Sequence, residues 1–345
     1  MEKNKINGMI RVAAFIVIFV VLLEAVSLHF FSEDVATRYS NRMKDAYSFT
    51  NEKSGSLQII SVGNSDLYSG ITPLELWRRH GWTSSVCASP NQTLQDSIAI
   101  MKTVFQTHKP KIVIIETDMF YDHGLRKKRK VKNSDKMAYY FDKWDPEFVD
   151  AAMQSMFPIF KFHNYWKGGK TRKNMPFNLH GYKYNEKVRP LKKYNYMKPT
   201  DKLDPIKRIT EEQVDRLIAL CKENGADVLL MELPSINSWN YERHNAVQSF
   251  ADKRGLRFLD MNMDLDDIGI NWKNCFRDIS GSHLNYRGAV AATRYLGIYL
   301  ANHYALEDRR GNKEYANWND DIEKFDRYRM INRSGKTQRT DEFIQ

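Results

Sequence analysis

Three side chains of this 345-residue chain are of the types that nucleophilic acyl chemistry requires. Ser65 stands in Val62-Gly63-Asn64-Ser65-Asp66-Leu67, directly after the apolar run Leu57 to Val62. Far along the chain, Asp278 and His283 stand in Asp278-Ile279-Ser280-Gly281-Ser282-His283-Leu284-Asn285. A serine hydroxyl attacks a carbonyl effectively when a base takes its proton and later returns it to the leaving group. An imidazole fills that role best when an acceptor holds its ring in one orientation. His283 is the candidate base and Asp278 its orienter, both within one loop. A serine at a strand-to-helix bend also lies where amides point outward and the helix dipole favours a developing oxyanion. The same residues have a structural reading: Ser65 as a turn or cap, Asp278 closing a turn around Ser280-Gly281, and His283 beside a helix start.

The elements that must position these residues follow from apolar periodicity. Leu57 to Val62 reads as a buried strand, and Ile71 to Trp77 opens a helix with Thr72 at its cap and Pro73 in its first turn. Thr83 to Ala88 is a second strand, with Ser89 to Thr93 as its outgoing loop. Leu94, Ile98, Met101, Val104 and Phe105 recur at helical spacing through Thr107. Lys111 to Glu116 is a third strand, whose β-branched run suits a parallel strand covered on both faces. From Asp118 to about Thr200 the alternation is lost, so residues 119–205 read as an insertion across the mouth of the sheet, with one helix candidate over Asp145 to Met156. The core pattern resumes with a helix over Thr210 to Asn224, where Thr210 and Gln213 have capping-box spacing. A strand over Ala226 to Leu233, a helix over Tyr241 to Lys253, a strand over Leu256 to Asp260 and a helix over Tyr286 to His303 follow. The charged extension 305–345 either wraps the domain or frays. Five parallel-type strands separated by helices predict a three-layer α/β/α sandwich of flavodoxin-like kind with a long insertion. Active residues then belong beyond the carboxyl ends of the strands, and Ser65, Asn91, Asp118, Pro234 and His283 fall at strand exits or in the loop before the last helix.

Composition narrows the setting. The formal charge of +11, from 53 Lys and Arg against 42 Asp and Glu, is densest at Arg126 to Lys132. Such a surface suits nucleic acid, anionic lipid or an anionic wall polymer. The N-terminus decides among these. Lys3, Lys5 and Arg11 precede an apolar run from Val12 to Leu23 that Ala25 to Phe31 extends past Glu24, long enough to cross a bilayer. With no convincing cleavage site, residues 1–31 read as a cytoplasmic stub and uncleaved signal anchor. Residues 32–56 read as a stalk, with residues 57–304 forming the main domain outside the cytoplasm of a bacterial cell. That location argues against nucleic acid. Cys87, Cys221 and Cys275 have no metal-ligand spacing and imply no disulfide framework; Cys87 and Cys221 read as buried small hydrophobes. No zinc signature, P-loop or dinucleotide glycine pattern occurs, and no cofactor or metal is expected.

The blocks Val62 to Leu67 and Asp278 to Asn285, the latter followed by Arg287-Gly288-Ala289, resemble the SGNH/GDSL hydrolase superfamily, over roughly residues 57–118 and 210–303. Within it, Ser89 to Leu94, His163-Asn164-Tyr165-Trp166 and His283 to Ala289 resemble membrane-anchored members that work beside membrane-bound O-acyltransferases. Those members act in teichoic acid D-alanylation and in exopolysaccharide or alginate acetylation. The resemblance implies an SGNH hydrolase-like fold, Ser65 as nucleophile and its N–H as one oxyanion donor. Asn91 is the candidate second donor, with Gln92 the alternative. Gln92, Asp118, His163 and Trp166 are candidate substrate-lining residues, although Asp118 could simply end its strand and His163 and Trp166 could pin the insertion to the core. Asn64 replaces the family's usual acidic residue. The usual acid position, three before the histidine, holds Ser280, so Asp278 completes a triad only through a longer loop. The implied activity is an esterase or O-acyltransferase taking an acyl ester or thioester donor and a carbohydrate or wall-polymer acceptor, with a membrane-bound O-acyltransferase as partner. The competing expectation is a catalytically inactive accessory protein that binds anionic polymer or that acyltransferase.

Overall fold

The computed structural model describes residues 2–30, 43–121, 157, 159 and 176–333. The chain divides into two compact units, one holding residues 1–41 and 124–171 and the other holding 42–123 and 172–345. In the first, α1 (Glu2–Phe30) is a continuous helix, and its Asn7–Phe30 portion is long and apolar enough to cross a membrane. The basic run Arg126 to Lys132, the helix candidate Asp145 to Met156, and His163 and Trp166 all lie outside the described residues.

The second unit is built on a five-stranded, wholly parallel sheet with strand order β2-β1-β3-β4-β5. The strands are β1 (Ile59–Gly63), β2 (Ser84–Ala88), β3 (Ile112–Glu116), β4 (Asp227–Glu232) and β5 (Arg257–Asp260). Register is continuous across the sheet: Ile59 pairs with Ser84 on one side and Ile112 on the other, Ile112 with Asp227, and Leu229 with Arg257. The two-residue period of a strand sends alternate side chains to opposite faces. Ile60, Val62, Val113, Ile115, Val228 and Leu230 enter one core, while Ile59, Ile112, Ile114, Leu229 and Met231 enter the other. Both faces are thus covered, as a parallel sheet requires, and the unit is a three-layer α/β/α sandwich of flavodoxin-like order. That order reverses direction between β1 and β3, and the crevice at such a switch point is where ligands bind in these folds.

The helices close to their sequence-predicted bounds are α3 (Pro73–His80), α4 (Leu94–Thr107), α6 (Tyr241–Asp252) and α8 (Tyr286–His303). Three elements differ from expectation. A separate helix, α2 (Ser65–Gly70), precedes α3, so Ser65 opens a helix of its own. Helix α5 (Arg208–Glu223) begins before Thr210, has Lys207 at its cap and makes no side-chain cap bond, so Thr210 and Gln213 form no capping box. The reciprocal cap forms instead between Thr93 and Asp96 at the start of α4. Residues 43–56, read as part of a stalk, bury Met43, Ala46, Tyr47 and Phe49 in the core.

The C-terminal extension wraps the domain as far as it is described, to residue 333. After the short α7 (Leu265–Ile268) and α8, α9 (Ala316–Arg333) buries Trp318 and Phe325 to 1% exposure each. Trp318 stacks on His180 with ring centroids 3.6 Å apart and lies 5.4 Å from Trp77. Phe177, His180 and Tyr182, from the span read as an insertion, are buried too, so these residues belong to the core. Cys87 and Cys221 are buried, and burial pushes both thiols up to about 12.

Candidate active site

The site begins where β1 ends. Gly63 has no room for a side chain: a Cβ there would lie 2.3 Å from Glu116 Oε2 and 2.8 Å from Leu67 Cδ2. Its absence lets Glu116 reach the backbone, accepting the Asn64 N–H at 2.5 Å. Asn64 caps α2 by accepting the Asp66 N–H at 2.9 Å, and its amide donates to Asp118 Oδ2 at 2.5 Å. Both ends of Asn64 are therefore committed to holding the turn. Ser65 takes the first helical position, only partly buried while its neighbours are buried.

The other half of the site is a hairpin-like loop. Phe276 and Leu284 form an antiparallel bridge, and Arg277 N–H donates to His283 C=O at 3.1 Å. Between them Gly281 turns the chain at φ 68°, the left-handed region that glycine tolerates. A Cβ on Gly281 would lie 2.2 Å from Ile236 Cγ1, so two independent constraints select glycine there. This turn brings Asp278 back to His283. Asp278 accepts from Ser280 Oγ at 2.7 Å, from Ser282 N–H at 3.3 Å, and from His283 Nδ1. On the far side of the ring, His283 Nε2 lies 2.8 Å from Ser65 Oγ. With the Nδ1 proton directed at Asp278, Nε2 presents its lone pair to the serine hydroxyl. Partial burial opposes charge on Asp278, but the bonds from His283, Ser280 and Ser282 outweigh it and hold its carboxyl down at about 2. Immediately after His283, Asn285 caps α8 by accepting from Arg287 N–H and Gly288 N–H, which anchors the loop.

Behind Ser65 lies a group of buried acids. Asp66 Oδ1 is 3.5 Å from His283 Nε2, while Ser235 Oγ donates to its other oxygen at 2.9 Å. Burial first, then the neighbouring Asp118 charge, raises the Asp66 carboxyl well above the usual range. Burial likewise dominates at Glu116 and Glu232, reinforced by neighbouring carboxylates.

Of the remaining sequence candidates, Asp118 is buried and bound by the Asn64 amide rather than open to solvent. Gln92 is also buried, its amide donating to Cys87 C=O and Ser97 Oγ at 3.0 Å each. These bonds engage one Asp118 carboxylate oxygen and the Gln92 amide nitrogen at the strand exits. Asn91 is exposed at φ 50° in the turn after β2. Asp260 serves the fold, accepting from Trp239 Nε1 and from the His244 ring at 2.8 Å each. Sequence reasoning missed Tyr68, which comes within hydrogen-bonding reach of Ser65 and of Arg277, and Arg277, whose guanidinium lies 5.8 Å from the Tyr68 ring centroid. The available signal for Tyr68 was its position three residues after the serine, on the same helical face.

No protein-family model matches the chain, and no curated protein matches it. Among solved structures, one described as a candidate acylhydrolase from Bacteroides fragilis aligns at 12% identity and TM-score 0.36, covering 76% of this chain and 94% of its own. A GDSL-like lipase from Bacteroides thetaiotaomicron aligns at 13% identity and TM-score 0.36, covering 76% and 99%. The fold assignment above stands on this chain's own strand order.

Proposed function

We propose that this chain is a membrane-anchored serine enzyme whose domain lies outside the cytoplasm and which moves an acyl group from an ester or thioester to water or to a hydroxyl of a carbohydrate or wall polymer. The observation that carries the reading is the 2.8 Å approach of His283 Nε2 to Ser65 Oγ, with Asp278 bonded to the opposite ring nitrogen. A buried structural histidine has no need of a partly exposed serine on its free nitrogen.

In this reading His283 takes the Ser65 proton as Oγ attacks the acyl carbon, and the carbonyl electron pair moves to oxygen. Ser65 N–H, at the first helical position where no intrahelical acceptor exists, donates to that oxyanion. Collapse re-forms the carbonyl, and the leaving group departs with the proton from His283. Water or an acceptor hydroxyl then repeats the sequence on the acyl-serine. The apolar α1, with Lys3, Lys5 and Arg11 at its start, supports anchoring with the α/β/α unit outside. A membrane-bound O-acyltransferase is the partner that fits such a location.

A fluorophosphonate probe tests the reading by phosphonylating an activated serine. Labelling of the full-length protein in detergent is expected, abolished in Ser65→Ala and slowed at least about 10²-fold in His283→Ala. Folded wild-type protein that takes no label would sink the reading.

A further inference from the structure

The Ser65–His283–Asp278 arrangement supplies a nucleophile and a base, but side-chain donors for the oxyanion are scarce. The Asn64 amide is bound to Asp118, and the Gln92 amide is bound to Cys87 C=O and Ser97 Oγ. Within hydrogen-bonding reach of Ser65 and of Arg277 is the Tyr68 side chain. Helical side chains lean toward the N-terminus, so a residue three positions later overhangs the first turn. The Tyr68 ring is pinned there from two sides. Lys183 N–H donates to Tyr68 C=O at 2.8 Å, and Lys183 Nζ sits 4.2 Å from the ring centroid while pairing with Asp45 at 3.1 Å. The Arg277 guanidinium carbon is 5.8 Å from the same centroid. Arg277 is itself held by its backbone bond to His283 C=O, and among the described residues no carboxylate lies within 4 Å of its guanidinium.

The geometry points to Tyr68 as the second oxyanion donor of the site, its hydroxyl polarised by Arg277 across the mouth from His283. This rests on the acyl-transfer reading above and adds to it a catalytic residue and a positioning residue. Burial raises the Tyr68 phenol, and the Arg277 charge together with hydrogen bonding to Arg277 and Ser65 pulls it partly back. The hydroxyl therefore keeps its proton at neutral pH and is available to donate. As the Ser65 Oγ electron pair forms the new bond to the acyl carbon, the carbonyl π pair becomes an oxygen lone pair. Tyr68 O–H donates to that oxygen without giving up its proton, while the Ser65 proton goes to His283 Nε2. When the carbonyl re-forms, the bond from Tyr68 weakens and the leaving group takes the His283 proton. The half-buried cation of Arg277 balances the negative charge that builds on the oxygen, a charge present only in the transition state and intermediate.

The test uses full-length protein in detergent with p-nitrophenyl acetate, p-nitrophenyl succinate and phenylboronic acid, whose tetrahedral adduct on serine mimics the anionic intermediate. Tyr68→Phe keeps the ring that Lys183 covers. It is expected to lower kcat about 10²-fold on both esters, with KM changed by less than about threefold, and to weaken phenylboronic acid inhibition in parallel. Arg277→Gln is expected to lose about 10-fold in kcat on both esters, and it tests the pair independently of how well Tyr68→Phe folds. Ser65-dependent turnover with wild-type kcat in both variants would overturn the assignment while leaving the acyl-transfer reading intact. A rise in KM confined to the negatively charged succinate ester would also overturn it, making Arg277 a substrate-charge reader instead. Wild-type protein without Ser65-dependent turnover of either ester or fluorophosphonate labelling would overturn both.

Discussion

At the scale of single residues, the site sets one ionised acid against several neutral ones. Asp278 is stabilised as a carboxylate by its three donors, whereas Asp66, Glu116 and Glu232 are pushed toward the protonated form, chiefly by burial. The two classes have opposite consequences for stability. Asp278, with a folded value of about 2, contributes stability above the unfolded carboxyl value near 4 and loses it as pH falls through about 2. The buried acids hold protons in the folded state that the unfolded chain releases near pH 4, so their contribution is full below that value and declines as pH rises toward their raised folded values. Urea midpoints measured in detergent from pH 4.5 to 8 are expected to fall as pH rises, and Glu232→Gln is expected to flatten that slope. Glutamine retains an acceptor for the Thr117 hydroxyl, which bonds Glu232 Oε2 at 2.6 Å, without an ionisable group. A midpoint that climbs over this range would contradict neutral acids behind Ser65.

At the scale of elements, the loop from Phe276 to Leu284 decides whether an acid five positions ahead of its histidine reaches it. The left-handed turn at Gly281 shortens the path, and the Asn285 cap fixes the exit. Gly281→Ala meets both a positive φ and the 2.2 Å approach of Ile236. It is expected to cost about 1–3 kcal/mol of stability and to slow fluorophosphonate labelling of Ser65 at least about 10-fold. Chemical denaturation and labelling kinetics check the two effects separately. An alanine variant that labels at the wild-type rate would show that the turn does not set the Asp278–His283 contact. The element boundaries were legible where apolar period and stop signals agreed, as at α4, α6 and α8. They were not legible at α5, where Arg208 and Ile209 extend the helix ahead of Thr210 and remove its capping position.

At the scale of the whole unit, the C-terminal helix is part of the fold. Its sequence is highly charged with few apolar positions, yet Trp318 fills a site between Trp77 and His180, and Phe325 contacts Phe177 at 5.6 Å between ring centroids. Trp318→Ala is expected to destabilise the protein by about 3–5 kcal/mol, read as a lowered urea midpoint at unchanged m-value. A shift under about 1 kcal/mol would mean that α9 sits loosely on the surface. Lys44–Asn51 behaves similarly, a short 3-10 segment whose Ala46, Tyr47 and Phe49 complete the same core. Both segments lack the length or periodicity that marks a core element in a sequence. Their burial depends on a groove that other elements create.

The sequence by itself determined the alternation of strands and helices, hence a parallel sheet with both faces covered, because continuous apolar runs and helical spacing leave few other ways to hide so much surface. It also identified a serine at a strand exit and a histidine before the last core helix. Only the tertiary structure decided that Asp278 meets His283, that the Gln92 and Asn64 amides bind scaffold groups, and that Tyr68 comes within reach of Ser65 and Arg277. Those outcomes turn on distances of a few ångströms between residues remote in the chain. Such distances are set by backbone turns and close approaches at Gly63 and Gly281 rather than by any local pattern of residue types.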